Sequence, residues 1–310
     1  MNTGSHKARR GIAIVDVLAV LAVAGIGAAT LVPAADMARH SARGPKDATQ
    51  LRGIAQSMVI WANTNKDRFP LPSEMDKAND TVKEEGAAKD TSANLFSLML
   101  WNEMFTAEFI VSPYEPNEKI KPHTNYEYQN PTTAVNPDRA QWDPKFSVDF
   151  TAGGGSLSYA HQCLNEERTK RKWRNTFDSR VPLLSTRGPK QIGEIVRDED
   201  TVSPTFEENF LSNTFAFESP TDSWSGHIVY VDSHTELVDA RMQPDAVYFV
   251  DHDDPNRKKS ANTDAPFTRT RGMRDWLFLD ESEDETGTNN FLSIFITAGA
   301  KRTDFKAIWD

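Results

Sequence analysis

Apolar positions run from Ile12 to Val32 with one charged interruption, Asp16, and Pro33 closes the run. As a helix, residues 12–33 span roughly 33 Å, about one hydrocarbon thickness. Beyond Pro33 the pattern becomes polar and helical. Leu51, Ile54, Ala55, Met58 and Ala62 recur at helical spacing and form one apolar stripe. Gly44-Pro45 interrupts this pattern, so a break or kink is expected near residue 44. The helix should end near Asn63 to Lys66, ahead of Phe69-Pro70.

Further along, residues 74–93 are charged and lack an apolar period, which predicts a solvated loop. Residues 94–110 are apolar at helical spacing and predict a buried helix ended by Ser112-Pro113. Pro and Asn crowd residues 117–150, which read as loops and short edge strands. Residues 156–161 and 181–185 are strand candidates. Residues 225–238 predict a hairpin about Asp232-Ser233-His234. Residues 272–279 suit a strand or helix, and residues 290–298 a final strand. The expected class is α+β: a long N-terminal membrane-spanning helix, kinked near 44, packed on an antiparallel-sheet globular domain.

Charge orients the anchor. Lys7, Arg9 and Arg10 precede Gly11 and should keep the N-terminus cytoplasmic, with the bulk of the chain outside. The net charge of −10 argues against nucleic acid as a partner, because phosphate binding needs a cationic face. A single cysteine, Cys163, rules out an intramolecular disulfide. Asp16 is costly in a bilayer unless it is paired. Cleavage after Gly11 would create an amine on Ile12, one helical turn away from Asp16. The carboxylate could then pair with its own terminus or with that of a neighbouring subunit.

Basic leader, Gly11, four apolar or small residues, Asp16 and an apolar helix with Gly25 and Pro33 together resemble type IV pilin-like proteins, including type II secretion pseudopilins. Ile12 stands where that family usually has Phe, and Asp16 where it has Glu. Trp61-Ala62-Asn63 and Asp67-Arg68-Phe69-Pro70 are similar to the segment after the anchor in pilin-like proteins abundant in planctomycete-type bacteria. Gly226, His227, Ile228, Tyr230, Asp232 and His234 lie in a hairpin similar to that family's C-terminal signature, with Ser233 in place of the usual Gly.

The resemblance implies a leader over residues 1–11, a transmembrane helix over 12–33, an amphipathic continuation over 34–66 and an extracytoplasmic domain over 67–310. It implies processing by a prepilin peptidase at Gly11 and Ile12, with methylation of the new terminus. Asp16 would serve assembly with other pilin-like subunits in the inner membrane, among its lipids. Three other readings stay open. They are a secretory signal cleaved near Ala35, a plain signal anchor, and an anchored or secreted domain that binds or modifies a glycan or other ligand.

Candidate chemistry is sparse. His227, Asp232 and His234 could approach one another across the hairpin and hold a metal, although a polar turn with exposed imidazoles is the plainer reading. Asp251, Asp253, Asp254 and Asn256 supply hard oxygen ligands suited to calcium, a cofactor known in a C-terminal loop of some pseudopilins, but their spacing is not that of an EF-hand. Arg168, Lys170, Arg171, Lys172 and Arg174 read as a solvated surface, with anionic lipid or an acidic partner as the alternative. His161 and Cys163 would share a strand face, and Gly153 to Gly155 form a turn without the lysine of a phosphate loop. No catalytic residue emerges. The expectation is a protein of assembly and binding, not an enzyme.

Overall fold

The computed structural model describes residues 43–189, 196–198, 201–203, 225–238, 277–278 and 290–309. The chain divides into two compact units, Met1–Pro45 and Lys46–Asp310. The proposed anchor, residues 12–33, lies outside the described residues. Among those described, no helix is long and apolar enough to cross a membrane.

Residues 43–64 form helix α1. The stripe Leu51, Ile54, Ala55, Met58 and Ala62 is fully buried, while Arg52, Gln56, Ile60 and Asn63 face solvent. Gly44 and Pro45 already lie within α1, and the chain on the other side of the expected kink is outside the described residues. The helix stops where expected. The N–H groups of Asn65 and Asp67 both turn back to the Ala62 carbonyl, and Lys66 and Asp67 take positive φ values of 57° and 60°.

The sheet has six strands: β1 Tyr159–Gln162, β2 Pro182–Thr186, β5 Gly226–Tyr230, β6 Thr235–Val238, β7 Leu292–Thr297 and β8 Lys306–Ile308. Their order is β6-β5-β2-β1-β7-β8, and every neighbouring pair is antiparallel. Two further strands, β3 Val196–Asp198 and β4 Thr201–Ser203, form a separate ribbon. Five of these six strands, β1, β2, β5, β6 and β7, fall where the sequence pattern places them. The short β8, which follows a 3₁₀ turn, carries too little alternation to be read from sequence.

Strand alternation gives the sheet two apolar faces. Tyr159, Leu184, Val229 and Phe295 join the α1 stripe in the main core. Ala160, Ile228, Tyr230 and Leu292 form a second cluster with Leu277 and Phe278. Burial on both faces explains why β2 and β5 read as continuous runs rather than alternating ones. At Gly188 a β-carbon would stand 2.4 Å from the Phe278 ring, so only glycine lets the two meet. Leu277 and Phe278 are the described part of the stretch expected as a strand or helix; they form a bend.

Three expectations are corrected. Residues 94–110 are not one helix. Helix α3 is Ser92–Trp101, and a 3₁₀ turn follows at Ala107–Ile110. The N–H groups of Glu103 and Met104 return to the carbonyls of Leu100 and Met99, and Glu103 adopts φ 54°, which closes the helix in a Schellman motif without glycine. Residues 117–150 form no strand; the one ladder contact there is the isolated bridge of Ile120 to Gly155.

Residues 74–93 are a solvated loop only in part, at the exposed residues 77–78 and 83–85. Helix α2 Pro72–Met75 and a 3₁₀ turn at Gly86–Lys89 frame a buried polar centre. Asp76 pairs with Lys89 at 2.9 Å, both almost fully buried, and accepts the N–H groups of Asp80 and Thr81. Side chain–backbone bonds order this segment, so no apolar period announces it.

Asp90 closes the same segment by accepting the N–H and hydroxyl of Ser73, both at 2.8 Å. Burial outweighs these bonds and pushes its carboxyl up to about 7. The unfolded chain ionises Asp90 in the ordinary carboxylate range. Its contribution to stability is therefore present in acid and lost as pH rises towards 7. Asp90→Asn should stabilise the fold by about 1–3 kcal/mol above pH 7, and the gain should vanish near pH 4. Urea unfolding of both proteins across that range checks the sign.

Candidate functional site: a buried carboxylate beneath the hairpin

The residues singled out in sequence separate into three groups. Gly11, Ile12 and Asp16 lie outside the described residues, as do Asp251, Asp253, Asp254 and Asn256. The hairpin is described and has the expected form. Gly226 pairs with Val238 and His227 with Leu237, while Val229 pairs with Thr235 next to the turn. Ser233, where the resembling family has Gly, holds φ 67°, the left-handed conformation that an Asp-Gly turn favours.

This register corrects the hairpin metal site. His227 lies at the open end of the hairpin, whereas Asp232 and His234 lie at the turn. At the turn, Asp232 Oδ1 accepts the His234 N–H at 3.1 Å and lies 2.5 Å from its Nδ1. The His234 ring stacks on Tyr230 with centroids 4.2 Å apart and planes 4° from parallel, and Tyr230 donates its hydroxyl to Glu236 at 2.6 Å. These contacts shape the turn. Among the described residues, no three His, Cys, Asp or Glu side chains come together to hold a metal.

His227 instead meets a residue that sequence reading passed over. Asp47, on the first described turns of α1, is fully buried beneath the sheet. Its Oδ1 accepts the hydroxyls of Ser112 at 2.6 Å and Tyr159 at 2.9 Å. Its Oδ2 lies 2.9 Å from His227 Nδ1 and 3.2 Å from the Thr186 hydroxyl, which in turn accepts the His227 N–H at 3.0 Å. One carboxylate thus gathers α1, the loop after Ile110, β1, β2 and β5. Burial, followed by the neighbouring Asp47 charge, pushes the Tyr159 phenol well above its ordinary pKa, so Tyr159 remains a donor.

A second buried pair lies alongside. Arg187 grips Glu115 with two bonds, 2.6 and 3.1 Å, and its guanidinium stands 5.1 Å from the centre of the Phe150 ring. Gln50, one turn after Asp47, reaches the backbone carbonyls of Glu108 and Val111. The chemistry of this site is that of a fastening. Ser112 spends its proton on Asp47 rather than on the histidine, so no Ser–His–Asp relay is formed. One signal for Asp47 was present in the sequence: it stands four residues before Leu51 and seven before Ile54, in register with the apolar stripe.

A second missed site joins α3 to the sheet. Ser92 Oγ lies 2.6 Å from His161 Nε2 and accepts the Phe295 N–H at 2.7 Å. His161 Nδ1 lies 2.7 Å from the Gln162 carbonyl, which can only accept. The proton is therefore assigned to Nδ1, and Ser92 donates to Nε2. Burial lowers the His161 pKa to about 4, so the ring is neutral at pH 7. Cys163, expected on the same face, is buried and free, and burial raises its pKa, which makes it a poor nucleophile.

Compared with known protein families, with curated proteins and with solved structures, the chain has no match.

Asp47→Ala should leave several buried donors unpaired and cost about 3–5 kcal/mol, whereas Asp47→Asn, which keeps acceptor capacity at Oδ1, should cost less. Guanidinium unfolding of the two variants separates the loss of the carboxylate from the loss of the side chain.

Proposed function

We propose that this chain is a pilin-like structural subunit, processed after Gly11 and assembled through its N-terminal helix into a type II secretion or type IV pilus-like filament. The observation that carries the reading is a continuity. The sequence with the basic leader, Gly11, Asp16 and the apolar run leads into α1, whose stripe is buried against an antiparallel sheet. The hairpin of that sheet bears the signature residues Gly226, Asp232 and His234, with a left-handed residue between the last two.

In this reading a prepilin peptidase removes the leader and the amine of Ile12 is methylated. The helix over 12–33 holds the subunit in the inner membrane or packs into the filament, and Asp16 pairs with an N-terminal amine. The domain over 67–310 lies outside the cytoplasm. A subunit of this kind transmits its position through α1, and the Asp47 fastening supports that role by tying the start of the described helix to three strands.

N-terminal sequencing of protein taken from its native membrane tests the processing step. A mature chain beginning at Ile12 supports the reading; one beginning near Ala35 overturns it. Asp16→Ala should abolish assembly, read by sedimentation and electron microscopy of sheared filaments, while the unfolding transition of the globular domain stays unchanged.

A further inference from the structure

The cationic segment around α4, Glu166–Arg171, is not used by the assembly reading. The structure corrects its simplest description, a solvated surface, because Arg168 is buried. Lys170, Arg171 and Arg180 are exposed, and Lys172 and Arg174 are partly so. Acidic residues stand at the margins. Lys170 pairs with Glu166 at 3.1 Å, and Arg180 grips Asp178 with two bonds. A concentration of cations in a chain of net charge −10 is a local feature with its own electrostatic reach.

Between Arg174 and Arg180 stands Phe177, 67% exposed, the most exposed large hydrophobic residue among those described. It holds φ 53°, a conformation that bulky side chains avoid. The segment before it is stapled to the body of the domain. Trp173 donates its indole N–H to the Pro70 carbonyl at 2.8 Å and packs edge-on against Phe69. Arg174 bridges to Arg68, and the Asn175 N–H bonds to the Asp67 carbonyl. After it, the Val181 N–H turns back to Asp178. An apolar ring is therefore held outward in an unfavourable backbone conformation, among cations. Burial lowers the Lys172 pKa, with the Arg168 and Arg180 charges adding to it and Asp178 opposing it.

We infer that residues 170–180 form a docking surface for an anionic membrane, with Phe177 entering the headgroup boundary and the surrounding Lys and Arg side chains meeting lipid phosphates. An exposed apolar ring with exposed cations near it in the chain suits a layer that yields to a wedge. Long cationic stems can lie along that boundary with their charges among the phosphates. A small ligand would call for a concave site. A cleft of about 310 Å³ beside Met75, Asp80 and Arg139 is built from other residues. The inference stands beside the proposed function and does not require filament assembly.

The full chain, labelled with an environment-sensitive dye at Thr176→Cys, tests it; Cys163 is buried and escapes labelling. In vesicles of phosphatidylcholine mixed with phosphatidylserine, dye emission should shift to the blue. The shift should be absent in phosphatidylcholine alone and lost at high salt. Lys170→Glu with Arg180→Glu, at two exposed positions, should abolish it, and Phe177→Ser should reduce it. Equal emission in both vesicles, or a shift that survives the double charge reversal, overturns the inference. So does a shift without vesicles that grows with protein concentration, which would assign the surface to a second copy. Flotation with pure phosphatidylcholine vesicles reads the hydrophobic anchor separately, so failure of the anchor is distinguishable from failure of this surface.

Discussion

The carboxylate of Asp47 is the constraint on which the described structure turns. Burying a carboxyl group is expensive, and here Ser112, Tyr159, Thr186 and His227 approach both of its oxygens. These partners lie far apart in the chain and share one feature, access to the underside of the sheet at the head of α1. The apolar stripe supplies most of the driving force for docking α1, but a stripe alone tolerates sliding along the helix axis. Four directional bonds to one side chain do not. Asp47 thereby selects a single seat for a helix that hydrophobic burial would leave less defined.

The same device recurs at smaller scale. Asp76 with Lys89 organises a segment that has almost no apolar residues to bury, and Asp90 closes it onto Ser73. Ser92 with His161 and the Phe295 N–H joins α3 to β1 and β7 through a neutral relay in the aromatic core. Arg187 and Glu115 do so beside the hub. A chain with one cysteine has no disulfide to hold long connections, and here buried polar pairs hold them. Each is favourable only while all of its members are in place, which makes these connections specific as well as stable.

Two features of the domain follow from this arrangement. The first described turns of α1 are fixed beneath the hairpin through Asp47. The loop after α4 is fixed to residues 67–70, the segment that follows α1, through Trp173, Arg174 and Asn175, which leaves Phe177 presented outward.

Sequence alone determined the features that rest on repetition. The stripe of α1, its end after Ala62, the hairpin and the strands β1, β2 and β7 each repeat an apolar or turn signal often enough to be read locally. The resemblance at Gly11, Asp16 and the hairpin is likewise a matter of spacing. Tertiary structure decided what single residues do. Glu103 ends α3 by taking a conformation usually left to glycine, and nothing in an apolar period forecasts that. Asp76 and Lys89 turn a charged stretch into an ordered one, because a buried pair leaves no periodic trace. His227 stood in the sequence as a hairpin histidine near Asp232 and His234, yet a register of alternating strand positions sends it to the other end and onto Asp47, 180 residues away. A hydrogen bond between distant residues needs only one donor and one acceptor, so it writes no pattern into the chain, and only the fold brings the two together.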